Sequence, residues 1–193
     1  MRPGALFGVL WGAWALSWFA AARWASAPVQ RPERARVRLT HGLLAVGIFC
    51  TLPQASAWLR AGRVWDVGRG GAYALAVLTI PGFLLTWWAR VHLGRLWSGA
   101  VTLKESHRVI DTGPYGWVRH PIYTGLLEAA LASAVATGTI ISSAGFALAA
   151  LGLWLKARVE ERLLRGALAP GAYAAYCRRV PMLLPRWRRA EGR

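Results

Sequence analysis

Hydrophobic residues fall in long blocks along this chain, not in the one-sided pattern of an amphipathic helix. "PGALFGVLWGAWALSWFAAA" (3–22), "HGLLAVGIFCTLPQASAWL" (41–59) and "GAYALAVLTIPGFLLTWWA" (71–89) each approach the roughly 20 residues that a bilayer crossing needs. A fourth block, "IYTGLLEAALASAVATGTIISSAGFALAALGLWL" (122–155), is too long for one crossing. It fits two short helices of about 25 Å each, turning near Thr137-Gly138-Thr139. The pattern predicts an all-α integral membrane protein with about five transmembrane helices and a cytoplasmic C-terminal helical segment.

Composition agrees with that reading. The 193 residues are 55% hydrophobic yet carry a net charge of +16, and the mean hydropathy is +0.33. Apolar spans with arginines kept in the loops reconcile the two values. Twelve tryptophans suit the headgroup layer. A basic soluble nucleic-acid binder is excluded by the block distribution. Twenty of the 24 Lys and Arg residues lie in 23–40, 90–121 and 156–193, which five spans would place on one side. The positive-inside rule makes that side the cytoplasm, with the N-terminus outside. The expected location is a bacterial inner membrane. Ala25-Ser26-Ala27 resembles a signal-peptidase site, but Arg23, Trp24 and Pro28 around it argue that the first span is retained.

Familiar soluble chemistry is not written here. Cys50 and Cys177 have no paired spacing, and the four histidines (41, 92, 107 and 120) match no metal motif. No glycine-rich phosphate loop is present. Candidate chemistry therefore lies in two segments on the basic side.

The first is "WSGAVTLKESHRVIDTGPYGWVRHPIY" (97–123). Pro121 suits the first turn of a helix, so Arg119 and His120 would stand beside a positive helix N-terminus that attracts carboxylates or phosphates. Equally, Arg119 could snorkel to headgroups while Tyr115 and Tyr123 form an interfacial belt. The second is "LKARVEERLLRGALAPGAYAAYCRRVPMLLPRW" (155–187), with adjacent Glu160 and Glu161 just after the last apolar run. These carboxylates read either as surface ion pairs with Lys156 and Arg158, or as acceptors for ribose hydroxyls or an ammonium group.

Taken together, "HRVIDTGPYGWVRHPIYTG", "RVEERLL" about 40 residues later, and "YAAYCRRVPMLLP" resemble the isoprenylcysteine carboxyl methyltransferase family, to which phospholipid N-methyltransferases are related. The resemblance covers roughly 97–187. It implies an S-adenosylmethionine-dependent enzyme, with three N-terminal spans (1–96), a catalytic core with the helical hairpin (97–187) and a basic tail (188–193). Its implied cofactor shell is His107, Arg108, Val109, Ile110, Tyr115, His120, Pro121, Ile122, Tyr123 and Glu160. Arg158 and Arg119 are its candidate catalytic groups. Lys156 and Arg158 compete for the acceptor, which would be a lipophilic or prenylated molecule entering from the bilayer. "GALAPGAY" is one residue longer than the family's pattern. Glu128, inside a span, stands where an apolar residue is expected and reads as a substrate-pocket group or as a structural hydrogen bond. No metal and no nucleic acid are implied. Methylation of a phospholipid amine or a small thiol, a sterol-reductase-like NADPH enzyme and a non-catalytic scaffold remain alternatives.

Overall fold

A computed structural model describes residues 1–21, 34–94, 109–168 and 171–185. Among these residues seven α-helices follow one another: α1 (Pro3–Ala20), α2 (Arg34–Thr51), α3 (Pro53–Trp58), α4 (Gly68–Leu93), α5 (Pro121–Thr137), α6 (Ile140–Ala167) and α7 (Ala172–Arg179). A short 3-10 turn, Gly113–Gly116, precedes α5. Among the described residues there is no strand. Ala25-Ser26-Ala27, the basic tail at 188–193, and His107 and Arg108 lie outside the described residues.

Among the described residues three helices, α1, α4 and α6, are long and apolar enough to cross a membrane. The expected five are not all of that length. α5 has 17 residues, a rise of about 25 Å, and the apolar part of α2 is Val37–Thr51. The second block is also displaced from its expected 41–59. α2 starts seven residues earlier because arginine and alanine continue a helix readily. It ends at Thr51 because Leu52, preceding Pro53, is extended at φ −79° and ψ 142°. Pro53 then opens α3.

The hairpin turn falls where the sequence places it. Gly138 ends α5 in the left-handed region at φ +69°, and Thr139 caps α6 through a reciprocal capping box with Ser142. The 60–67 loop closes over this turn. Val64 donates its amide to Gly138 O (2.7 Å), and Trp65 Nε1 donates to Val135 O (2.9 Å).

Two helix pairs form the body, α2 against α6 and α4 against α5, with α1 laid on α4. Apolar side chains gain little from one another over lipid, so close packing has to come from small residues. A methyl group added at Gly47 would overlap the backbone of Ala149, and one at Gly125 would overlap the backbone of Gly82. Against α4, α1 presents aromatic rings. Trp11 meets Phe83 edge-on at 5.0 Å and Trp14 Nε1 donates to Thr86 Oγ1 (2.8 Å), while Trp11 Nε1 reaches past α4 to donate to Ser133 Oγ of α5 (3.0 Å). Arg90, at the end of α4, donates to Trp18 O (3.2 Å) and Ala21 O (2.6 Å), satisfying carbonyls at the end of α1.

The Gly47 contact makes a direct test. Gly47→Ala should lose about 1–3 kcal/mol through overpacking against Ala149. At Gly42 a methyl group meets open space, so Gly42→Ala should be neutral or stabilising by roughly 0.5–1 kcal/mol. Thermal unfolding of both variants in micelles checks this. Equal stability of the two would contradict the α2–α6 crossing.

Candidate active site

The site is assembled where α5 begins and α6 ends. The Pro-initiated start of α5 puts His120 at its N-cap, and α6 continues past its apolar run to bring Glu160 and Glu161 alongside. His120 stands between the two carboxylates. Its Nε2 lies 3.2 Å from Glu161 Oε1 and its Nδ1 lies 3.5 Å from Glu160 Oε2. A neutral imidazole can donate from one nitrogen alone, so two facing carboxylates favour the charged ring. Burial opposes that charge, but the hydrogen bonds and negative charges of Glu160 and Glu161 outweigh it and raise the His120 pKa above its ordinary value.

The two glutamates have different surroundings. Glu161 keeps 3% of its side chain exposed. It accepts from Arg119 Nε (2.7 Å) and from Arg165 Nη2 (3.4 Å) as well as facing His120. Glu160 keeps 21% exposed and accepts from the Tyr123 hydroxyl. Only Glu160 therefore has a carboxylate edge that a ligand can reach. The Tyr123 ring lies parallel to His120 at 5.2 Å, and Lys156 Nζ stands 5.4 Å above it. Of the two competing cations, Lys156 joins this cluster. Arg158 is on the outward face of α6, stacked 5.4 Å over the exposed Trp154.

Arg119 is occupied differently. Besides Glu161, it donates from Nη1 to Cys177 O (3.2 Å) and Val180 O (2.5 Å), the carbonyls at the end of α7. The opposing burial is outweighed by Glu161, so its pKa is raised and it stays charged. The segment after α7 adds backbone pairing. Arg119 N donates to Pro181 O (2.8 Å), His120 N to Met182 O (3.1 Å), and Thr124 Oγ1 to Leu183 O (2.6 Å). Two of the amides at the start of α5 are therefore spent on the chain's own tail.

Tyr115, in the turn before, is buried. Its carbonyl accepts from Tyr176 OH (2.7 Å), and its ring stacks with His92 at 6.2 Å. Gly113 is needed there, with φ +56° and with His92 Cε1 lying 2.8 Å from where a side chain would begin. Val109 packs on the Tyr173–Tyr176–Val180 cluster, while Pro121 is buried and Ile110 and Ile122 are half-buried. The structure thus gathers Tyr115, His120, Pro121, Ile122, Tyr123, Lys156, Glu160 and Arg119 near one another. Arg158 stays apart from them, and Glu128 sits two turns further along α5.

Residues 74–166 match the isoprenylcysteine carboxyl methyltransferase family. Over those residues the chain is similar to this family. The match takes in α5, α6 and the glutamate pair, while the tail that docks on Arg119 lies beyond it. The chain is also 32% identical, over 124 residues, to the cobalt-zinc-cadmium resistance protein CzcN of Cupriavidus metallidurans, covering 63% of this chain and 54% of that protein. It spans about half the length of this curated relative. The family is one of membrane methyltransferases, and the apolar helices agree with an integral membrane protein.

Sequence reasoning missed Glu161 as the shared acceptor and did not place Thr124 or His92. The signal for Glu161 was its position one residue after Glu160, which turns it about 100° around α6 toward Arg119.

The raised His120 pKa carries a pH dependence. Its stabilisation is fully present below about pH 6.5, the ordinary histidine value, and is lost as pH rises through the higher folded value. Unfolding midpoints in micelles should therefore fall between about pH 6 and pH 8.5 more in the wild type than in His120→Gln. Glu161→Gln should cost about 3 kcal/mol, because it leaves Arg119 buried without its partner. Parallel pH profiles for wild type and His120→Gln would contradict the charged ring.

Proposed function

We propose that this chain is an S-adenosylmethionine-dependent membrane methyltransferase that esterifies a carboxylate on an isoprenylcysteine-like or other lipophilic acceptor drawn from the bilayer. The observation that carries this reading is the reachable Glu160 carboxylate, held by Tyr123 and His120 beside Lys156, within the family-matched segment.

The residues present fit the cofactor. Glu160 offers an acceptor for an ammonium or ribose hydroxyl, and Val109, Ile110, Tyr115 and Ile122 offer apolar and aromatic walls. His107 and Arg108 complete the shell that the family implies. When bound, the cofactor supplies an already activated sulfonium methyl. The chain's part is then to align, to hold charge and to exclude water. Lys156 attracts the acceptor carboxylate and keeps it beside Tyr123, while His120 fixes the Glu160 carboxylate. With the cofactor bound, Lys156 and Tyr123 would hold the acceptor oxygen in line with its methyl group, and transfer would give a methyl ester and S-adenosylhomocysteine. A carboxylate needs no general base at neutral pH.

Arginine distribution supports a cytoplasmic C-terminus and an outside N-terminus in a bacterial inner membrane. Cysteines placed at Gly62 or Arg63 should react with an impermeant reagent in whole cells, and cysteines at Arg178 or Arg179 only after lysis. Equal labelling would contradict this orientation.

The activity is tested by calorimetric titration with S-adenosylhomocysteine and by product analysis. Glu160→Gln should weaken S-adenosylhomocysteine at least tenfold, while Arg158→Ala leaves it near wild type. Label from the methyl group should appear as a product that releases methanol in alkali, at a rate nearly flat from about pH 6 to 8.5. An alkali-stable product whose rate climbs with pH would move the acceptor to an amine or thiol. Binding of NADPH without S-adenosylhomocysteine would sink the methyltransferase reading.

A further inference from the structure

Glu128 is the one carboxylate inside α5, and its setting is unlike that of the glutamate pair. Its Oε2 is buried and, among the described residues, is the one buried side-chain polar atom without a hydrogen-bond partner. That oxygen lies in a notch made by the missing side chain of Gly82, where a methyl group would overlap it. The residue as a whole is only half-buried. Leu131, about one turn on, is 47% exposed, so Glu128 borders the outer, lipid-facing side of the α4–α5 crossing. On α4 the same outer side carries exposed Leu78, Leu84 and Trp88, and Trp88 meets Trp117 edge-on at 5.2 Å. A half-buried carboxylate with one oxygen pressed on the Gly82 backbone and its other edge toward lipid is expensive unless a donor reaches it.

We propose that Glu128 is the recognition group of a subsite in the α4–α5 seam for the protonated amine of a membrane-borne amphiphile. The seam supplies what such a molecule needs. Apolar side chains flank the carboxylate to cover an alkyl body, and the carboxylate itself neutralises an ammonium that lipid would otherwise leave unpaired. A hydroxyl could donate one hydrogen bond, but an ammonium also balances the charge. The subsite lies about 12 Å along α5 from His120, at 1.5 Å per residue, so it is separate from the cofactor shell. It rests on the surroundings of Glu128 and not on which acceptor atom takes the methyl. Its link to catalysis does rest on the methyltransferase reading. The amine belongs to a lipid that stays unmethylated beside the acceptor.

The test uses the full chain in phosphatidylcholine nanodiscs, with radiolabelled hexadecylamine and hexadecanol as probes. Wild type should retain the amine at least tenfold more tightly than the alcohol. Glu128→Leu, which places a fold-compatible apolar side chain in the seam, and Glu128→Gln, which keeps its shape, should both lose that preference. S-adenosylhomocysteine binding should be unchanged in both. Equal retention of amine and alcohol by wild type, or an unaltered preference in both variants, would overturn the subsite. Adding S-adenosylmethionine with a labelled methyl group separates the sources. Glu128-dependent retention without methylation marks a resident amine lipid, and methylated hexadecylamine would overturn the separation of the seam from the cofactor shell. Failure of the wild type to bind S-adenosylhomocysteine would remove the methyltransferase reading while the amine preference still decides the subsite.

Discussion

A buried carboxylate must be matched, and in this chain Glu161 is matched by three partners drawn from two distant segments. Arg119 and His120 reach it from the turn before α5, and Arg165 reaches it from its own helix. Arg119 extends the arrangement to the end of α7 through Cys177 O and Val180 O. One desolvated charge therefore fixes the relation of the α5 start, the α6 extension and the tail. Removing it would leave an arginine and a histidine buried without a counter-charge, the costly direction for such a network. The neighbouring Glu160 inherits its position from that lock while keeping an edge open. Rigid support and reachable ligand group are thus divided between two adjacent residues.

The lock works only because the helices beneath it are close. α5 meets α4 where Gly82 faces Gly125, and α6 meets α2 where Gly47 faces Ala149, so the backbones approach to contact distance. The hairpin turn at Gly138 and Thr139 then sets α5 against α6, and the 60–67 loop pins that turn from outside. Packing at one end of the hairpin and ion pairing at the other act on the same two helices. Glu128 lies between them, where α4 has a glycine and α5 has an acid.

Much of this was legible in the residues. The apolar blocks marked the helices, "TGT" marked the hairpin turn, and the arginine–histidine–proline run and the paired glutamates marked residues that the fold brings together as the candidate site. Family resemblance rested on those same words. What the pattern could not show was phase. Adjacent glutamates are interchangeable in a sequence, but about 100° of rotation sends Glu161 into the lock and leaves Glu160 at its edge. The same rotation carries Arg158 out to Trp154 and Lys156 in toward Tyr123. Arg119 read as a catalytic group, yet three of its contacts go to Glu161 and the end of α7, which only the docked tail reveals. Span lengths also shifted, because Pro53 breaks a run that hydropathy alone would continue.

The central claim is that ligand binding and tail docking share one network at the start of α5. Hydrogen–deuterium exchange of the purified protein, with and without S-adenosylhomocysteine, measures this directly. The account predicts that ligand slows exchange together in 119–124 and in 176–183, since Arg119 and His120 donate their amides to the tail beside Glu160. Protection confined to 119–124, with the tail exchanging as in the free protein, would contradict the shared network.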